Sequence, residues 1–235
     1  MNYFLTLLFA FFPGIVWLLF YLRKDVHPEP KLLVLRVFFL GMAVGVLAIF
    51  IELGFYKILN NFLETETLLF LILNTFLGVA LVEEYLKFLV VEKAVLKNPE
   101  FDEPIDAVIY MIVSGLGFAT LENILLFWKN PETTHFPYLL SFVRFISATL
   151  LHALTSGILG YFLAKSFFQI KERKKLIIKG LVSVSLLHGI YNFSIIKGEG
   201  FEKIFIPAFL LCLSAAFLSF EIKRLKKMIS VCKIK

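Results

Sequence analysis

The chain has 235 residues, of which 59% are apolar and only 18% are charged, with 28 phenylalanines and a mean hydropathy of +0.85. Soluble domains are usually about 45–50% apolar and about a quarter charged, so this composition excludes a disordered chain, a coiled coil and a water-soluble globule. The formal net charge of +6 is spread over short connections. It therefore bears on membrane orientation, and we expect no nucleic-acid partner.

Apolar runs of about 20 residues, the length that an α-helix needs to cross the hydrocarbon layer, follow one another along the chain. Short connections with charged residues or proline separate these runs, so we expect one all-α bundle over residues 1–235 rather than two domains. The predicted membrane-spanning helices are seven, at residues 3–22, 32–56, 67–91, 105–128, 137–163, 177–196 and 203–221.

Lysine and arginine are concentrated in alternate connections, which predicts the orientation of the bundle. They cluster after the first, third and fifth predicted spans and in the C-terminal tail. The other connections carry only Lys57, Lys129, Lys197 and Lys203. The positive-inside rule therefore predicts an N-terminus outside and a C-terminus in the cytoplasm.

Polar side chains interrupt four successive predicted spans, although a charge at a helix centre costs roughly 2.5–3.5 kcal/mol on insertion. In chain order they are Glu83, Glu84, Lys87, Glu122, Asn123, His152, His188 and Asn192. So many costly residues in consecutive spans predict that they face one another, or a small wet cavity, inside the bundle.

Helical spacing places several of these side chains on common faces. Glu83 lies four residues before Lys87, which is the favourable order for an ion pair, and Lys87 also lies three residues after Glu84. The same spacing of four relates Phe118 to Glu122, His152 to Ser156 and His188 to Asn192. Each histidine thus has a neighbour one turn away that can fix its tautomer or hold a bound group.

Four motifs in this order resemble those of the PrsW intramembrane protease family, which is related to the CAAX-protease and bacteriocin-processing (Abi) superfamily. They are Glu83-Glu84-x-x-Lys87, Gly117-Phe118-x-x-x-Glu122-Asn123, His152-x-x-x-Ser156 and His188-x-x-x-Asn192. Each motif falls on a separate span within a core at residues 67–196, and the other spans match only in hydrophobicity. One position departs from the family, because Leu126 stands where the second motif commonly continues to a tyrosine. Tyr110 and Tyr191 are the nearby tyrosines that could replace the missing hydroxyl.

The resemblance implies an integral protease of a prokaryotic cell membrane, embedded among lipids, that cuts a membrane-anchored protein such as an anti-sigma factor. The superfamily is described both as metal-dependent and as glutamate-based. The expected catalytic residues are Glu83, Glu84, His152, His188 and Asn192. The expected supporting residues are Lys87, Phe118, Glu122, Asn123 and Ser156.

Peptide hydrolysis needs an activated water, a group that stabilises the oxyanion and an acid for the leaving amine. A glutamate in a low dielectric suits proton exchange near neutral pH, so we assign Glu83 as the water-activating carboxylate. Lys87 would hold the carboxylates in place. His152 and His188 are oxyanion donors or metal ligands, and Asn192 would stabilise the oxyanion or orient His188.

A divalent metal such as zinc is one alternative, because two histidines and a carboxylate form a catalytic zinc set with an open position for water. Its ligands would be Glu83, His152 and His188. The chain has no HExxH motif, and these residues come from three separate predicted helices. Spacing alone therefore leaves the metal-dependent and the glutamate-only mechanisms both open.

Two other function classes compete with proteolysis. A proton-coupled transporter also uses intramembrane Glu, Lys and His as a relay, but the internal repeats typical of carriers are not visible in the sequence. A non-catalytic membrane scaffold or immunity-type protein with the same fold is the third class. In that case Glu83 and Lys87 would form a purely structural ion pair.

Overall fold

The computed structural model describes residues 3–24, 27–129 and 137–228, and within them the chain forms helices and connections without any strand. The helices are α1 (Tyr3–Leu22), α2 (Lys31–Asn60), α3 (Leu68–Leu73), a π-helical segment (Asn74–Leu81), α4 (Val82–Ala94), α5 (Pro104–Lys129), α6 (Pro137–Ile146), α7 (Ala148–Phe168), α8 (Arg173–Lys197) and α9 (Glu202–Leu225). A short 3₁₀ turn, Ile170–Glu172, precedes α8. The predicted all-α class is confirmed.

Six helical segments of the described residues are long and apolar enough to cross a membrane, and they correspond to the second to seventh predicted spans. They are Lys31–Asn60, Leu68–Ala94, Pro104–Lys129, Tyr138–Phe168, Ile170–Lys197 and Glu202–Leu225. The outer surface carries large apolar side chains such as Leu32, Phe50 and Ile204, each more than two-thirds exposed, as suits contact with lipid tails. The molecule is therefore a helical membrane bundle.

The seventh span and the orientation stay predictions. The first helix, α1, offers a shorter apolar stretch, Leu7–Leu22. Of the basic residues that predict a cytoplasmic tail, Lys233 and Lys235 lie outside the described residues.

Helix α5 lies at the centre of the bundle, with 78% of its most apolar 18-residue window buried, and packs against α1, α2 and α7. Glycines allow the closest approaches. A Cβ atom on Gly117 would lie 2.9 Å from the backbone carbon of Phe38 on α2. A Cβ on Gly160 of α7 would lie 2.7 Å from the carbonyl oxygen of Ala107. Because small residues let helix backbones approach, they fix the rotation of α5 against both neighbours.

The third predicted span is present but is not a regular α-helix. It begins as α3, widens into the π-helical segment and continues as α4, whose second and third residues are Glu83 and Glu84. A π-helical stretch shifts the register of every side chain that follows it, and such stretches are frequent at functional sites. The irregular segment thus sets the direction in which the two glutamates point.

The fifth predicted span is divided at Ser147, whose backbone angles (φ −121°, ψ −102°) are not helical. Helix α6 ends at the preceding residue and α7 begins at the following one. At the end of α6 the indole Nε1 of Trp17 donates to the carbonyl oxygen of Phe145 at 2.8 Å. The break leaves Arg144, in the last turn of α6, able to reach side chains of α5.

Candidate active site

The structure brings the ionisable residues of four predicted spans together in the interior of the bundle. Their side chains come from α4, α5, α7 and α8, which are distant in the sequence but packed around one point. Five of them are at most 3% exposed: Glu83, Glu84, Lys87, His152 and His188. The predicted convergence of carboxylates and imidazoles is therefore present in the structure.

Lys87 is the cation at the centre of this cluster. Its Nζ atom donates to Oε1 of Glu84 at 2.9 Å and to Oε2 of Glu83 at 3.2 Å. It also lies 2.7 Å from Nδ1 of His152 and 4.4 Å from the ring centre of Phe118. One ammonium thus binds both glutamates, as the sequence spacing predicts, and partly neutralises two charges that would otherwise be buried together.

The contacts of His152 assign its tautomer. Because the Lys87 ammonium can only donate, Nδ1 of His152 must accept and carry the lone pair. The other ring nitrogen, Nε2, then carries the proton and donates to Oε2 of Glu122 at 2.8 Å. The neutral ring therefore directs its lone pair towards Glu83 and Lys87 and its N–H towards Glu122.

The contacts of His188 assign the matching tautomer. Its Nδ1 lies 2.9 Å from Oε1 of Glu84, and a carboxylate only accepts, so Nδ1 is the protonated nitrogen. The hydroxyl of Thr155 donates to the same oxygen at 3.1 Å. The remaining nitrogen, Nε2, lies 3.9 Å from Oε2 of Glu83 and carries the lone pair in the neutral form of the ring.

Glu83 and the two imidazoles form the set that can hold a cation. Oε2 of Glu83 lies 3.9 Å from Nδ1 of His152 and 3.9 Å from Nε2 of His188. One ligand atom from each residue lies within 4.8 Å of the others, and all three residues are buried. Both lone-pair nitrogens therefore face the same carboxylate oxygen.

This donor set fits a catalytic divalent metal in three respects. Two imidazoles and one carboxylate are a known zinc ligand combination. Each ring directs one nitrogen towards Glu83, and each donates its other N–H to a carboxylate, the arrangement that orients metal-binding histidines. Lys87, which now contacts Nδ1 of His152, would have to withdraw from that nitrogen.

A second layer of polar contacts supports His152 from the side of α5 and α6. Arg144 donates from Nη2 to Oε2 of Glu122 at 2.9 Å and from Nε to Oδ1 of Asn123 at 2.5 Å. The amide of Asn123 donates in turn to Thr149 and to the carbonyl oxygen of Ala10, both at 3.2 Å. Glu122 thus contacts a site histidine, whereas Asn123 ties α1, α5 and α7 together.

Three residues near the site have no role in the sequence analysis: Arg144, Thr155 and Glu52. Arg144 and Lys87 are the two cations that fall well inside predicted spans. This position in the sequence could have indicated that Arg144 belongs to the site. Glu52 of α2 is half-buried and near enough to Lys87 and Glu122 to interact electrostatically with both. Thr155 carries no sequence signal beyond helical spacing from His152.

Two expected contacts are absent from the described residues. The buried Ser156 hydroxyl has no hydrogen-bond partner there; it faces Gly115 on α5, whereas the ring of His152 binds Lys87 and Glu122. Asn192 is half-buried, and its amide makes no hydrogen bond to the described residues, although it follows His188 by one helical turn. The spacing is as expected, but neither neighbour fixes its histidine.

The two candidate tyrosines lie in different places. The hydroxyl of Tyr110 donates to Oε2 of Glu29 at 2.5 Å, in the connection before α2. Tyr191 lies beside Ser147, at the break between α6 and α7, and is near enough to Arg144 and Glu122 to interact electrostatically with both. Tyr191 is therefore the tyrosine nearer to the site.

A buried carboxylate and two imidazoles inside a membrane bundle are the elements of an intramembrane peptidase. The comparison with protein families agrees with this class. The family model described as "PrsW family intramembrane metalloprotease" matches residues 29–219. The chain belongs to the PrsW family of intramembrane proteases. It is thus a peptidase and an integral protein of a prokaryotic cell membrane, as the motifs predict.

The chain is also similar to curated proteins named Protease PrsW. The chain is 37% identical to Protease PrsW of Bacillus subtilis (strain 168) over 186 residues, which cover 77% of this chain and 78% of the relative. It is 32% identical to Protease PrsW of Geobacillus kaustophilus (strain HTA426) over 188 residues, with 80% and 78% covered. It is also 32% identical to the Oceanobacillus iheyensis protein of that name over 196 residues, with 83% and 85% covered. No solved structure matches the chain significantly.

Proposed function

We propose that the chain hydrolyses a peptide bond of a membrane-anchored protein at the buried site between α4, α5, α7 and α8. The observation that carries this proposal is that one ring nitrogen of His152 and one of His188 each lie 3.9 Å from Oε2 of Glu83. A water held among these three groups would meet a proton acceptor and two orienting nitrogens in a low dielectric. These are the requirements of water activation for peptide hydrolysis.

Each residue of the cluster has a separate proposed task. Glu83 accepts the proton of the attacking water in the glutamate-only mechanism and is a ligand of the ion in the metal-assisted one. Glu84 and Glu122 keep the rings of His188 and His152 in the tautomers that direct lone pairs towards Glu83. Lys87 holds Glu83 and Glu84 in register and lowers the cost of burying both.

We further propose that the site is metal-assisted and that Glu83, His152 and His188 hold the ion. The tautomers support this choice, because an oxyanion donor must present an N–H to the substrate, whereas both rings present a lone pair towards Glu83. The family description as a metalloprotease agrees with it. A bound divalent metal would supply Lewis acidity and lower the pKa of the water.

The substrate is proposed to approach the site from the lipid along an apolar groove between α6, α7, α8 and α9. This groove has a volume of about 510 Å³ and is lined by residues that include Leu150, Tyr191, Pro207 and Leu211. Leu150 precedes His152 by two residues, and Tyr191 follows His188 by three. A hydrophobic segment in the groove would thus lie beside the helices that carry both histidines. By resemblance, an anti-sigma factor is the proposed type of substrate.

We keep the predicted topology as part of the proposal, with α1 as a seventh span and the N-terminus outside. Two contacts support α1 as an integral part of the bundle: Ser141 of α6 donates to the carbonyl oxygen of Phe9, and Trp17 donates to α6 in return. Reporter fusions at the two chain ends would test the orientation. An active cytoplasmic reporter at the N-terminus would contradict it.

The test of the function is cleavage of a membrane-anchored protein in liposomes that contain the purified chain. Glu83→Gln is expected to reduce cleavage at least ~10²-fold, because it removes the base and keeps the shape. Glu64→Gln, at an exposed glutamate of the connection before α3, is the matched control and should retain full cleavage. If Glu83→Gln cleaves as fast as the control, the assignment of the site is wrong; proton flux lost from Glu83→Gln without any cleavage by the parent would indicate a transporter.

A further inference from the structure

A second buried carboxylate lies far from the proposed active site, near the C-terminal end of α9. Glu221 is only 6% exposed, and its Oε2 atom makes no hydrogen bond within the described residues. The nearest cation, the Nη1 atom of Arg224, lies 3.9 Å away, which is too far for a hydrogen bond. Tyr161 on α7 lies beside the same carboxyl group. A buried acceptor with unused capacity requires a donor from elsewhere.

Glu221 lines a cavity between the last turns of α7 and α9. The cavity has a volume of about 290 Å³ and is also lined by Tyr161, Lys165, Arg224 and Met228. This volume equals that of roughly ten water molecules in the liquid, so the space is large enough for a polar headgroup. Lys165 and Arg224 belong to the basic set that predicts the cytoplasmic face, so the predicted topology puts the cavity at the depth of lipid headgroups.

The charges that line this cavity differ in sign and depth. The carboxylate of Glu221 is buried, whereas 68% of the Arg224 side chain is exposed. Lys165 is half-buried. A ligand that matches this order has an ammonium group with N–H donors at one end and a phosphate a few bonds away.

We propose that this cavity binds the headgroup of a zwitterionic aminophospholipid, of the phosphatidylethanolamine type. The primary ammonium would donate to Oε2 of Glu221, and the phosphate would accept from Lys165 and Arg224. A phosphatidylcholine headgroup has no N–H to donate, and a phosphatidylglycerol headgroup has no cation. Glu221 therefore selects the aminophospholipid, and the site does not depend on the proposed protease mechanism.

The experiment measures lipid binding to the delipidated full chain in detergent by native mass spectrometry. Phosphatidylethanolamine, phosphatidylcholine and phosphatidylglycerol with identical acyl chains are the probes. We expect several times more bound phosphatidylethanolamine than phosphatidylcholine. Glu221→Gln should remove this preference, whereas Glu202→Gln, at an exposed glutamate in the first turn of the same helix, should keep it. Equal binding of the two lipids by the parent chain would overturn the proposal, as would a preference that survives Glu221→Gln.

Two further arms keep the result interpretable. Arg224→Gln changes an exposed side chain, so the variant is expected to fold, and it should lower the binding of phosphatidylethanolamine by the loss of a phosphate contact. Soluble phosphoethanolamine should compete with the lipid if the headgroup is what the cavity recognises. Tightest binding of phosphatidylglycerol, with no effect of Glu221→Gln, would identify a general anionic-lipid site and overturn the proposal.

Discussion

The Nε2 atom of His152 lies 2.8 Å from Oε2 of Glu122, and this contact holds the side of the ring that faces away from Glu83. Glu122→Gln replaces a charged acceptor with a neutral amide, so the hydrogen bond that holds the Nε2–H of His152 is weakened. We expect cleavage to fall by about 10–100-fold, the usual cost of losing an outer-layer partner of a site histidine. Liposome assays against Glu64→Gln would measure it, and unchanged cleavage would show that Glu122 does not orient His152.

Arg144 holds Glu122 through one nitrogen and Asn123 through another. A lysine retains the charge but has no planar fork, so Arg144→Lys should preserve folding and lose part of the positioning. The expected result is a lower kcat with little change in KM, since Arg144 does not contact Glu83 or His188. Arg144→Gln should lower kcat further. A rise in KM alone would instead assign Arg144 to substrate binding.

The proposed metal site predicts that the purified protein binds about one divalent ion per chain. Elemental analysis should find this ion in the parent and lose it in His188→Ala, and a strong chelator should abolish cleavage until metal is restored. His27→Ala removes an exposed histidine that contacts Glu103 at the surface and serves as the control. A chain that is fully active without bound metal would contradict the metal site and support the glutamate-only mechanism.

The Lys87 ammonium is fully buried between Glu83 and Glu84, so its removal should be costly. Lys87→Met leaves carboxylates without their cation, and losing one partner of a buried pair typically costs about 3–5 kcal/mol. Thermal unfolding in detergent would detect this loss as a lower Tm. Adding Glu84→Gln to Lys87→Met should recover part of the stability, because one buried charge is removed. A double variant less stable than the single one would contradict this account.

The sequence predicts the helices and the convergence of the site for one physical reason. Uncharged runs must be long enough to span hydrocarbon, and costly residues such as Glu83, His152 and His188 must then face inwards. The same reasoning does not reveal the π-helical segment before α4 or the break at Ser147. Both depend on tertiary contacts, which override the apolar pattern.

The finer geometry of the site depends on how each helix is rotated, and apolar patterns fix that rotation poorly in a bundle that is hydrophobic on most sides. Ser156 shows the consequence, because it has the expected spacing from His152 and yet faces α5. Arg144 is a different case. Its place within a span is visible in the sequence, but its contact with Glu122 depends on the break in the helix, which the sequence does not reveal. Which oxygen binds which nitrogen is therefore a result of packing.

The contact between α2 and α5 offers a test of the packing that positions the site. A Cβ atom on Gly117 would lie 2.9 Å from the backbone carbon of Phe38 and 3.2 Å from the backbone nitrogen of Met42, so neither neighbour can move aside cheaply. Gly117→Ala should therefore lower the Tm and the rate of cleavage together, because α5 carries Glu122 on its next turn. Gly54→Ala is the matched control, since a Cβ at that position on α2 meets nothing within 4 Å. It should be neutral or stabilising by up to about 1 kcal/mol, the difference in helix propensity. Equal Tm values for the two variants would mean that the close approach of α2 and α5 does not contribute to stability.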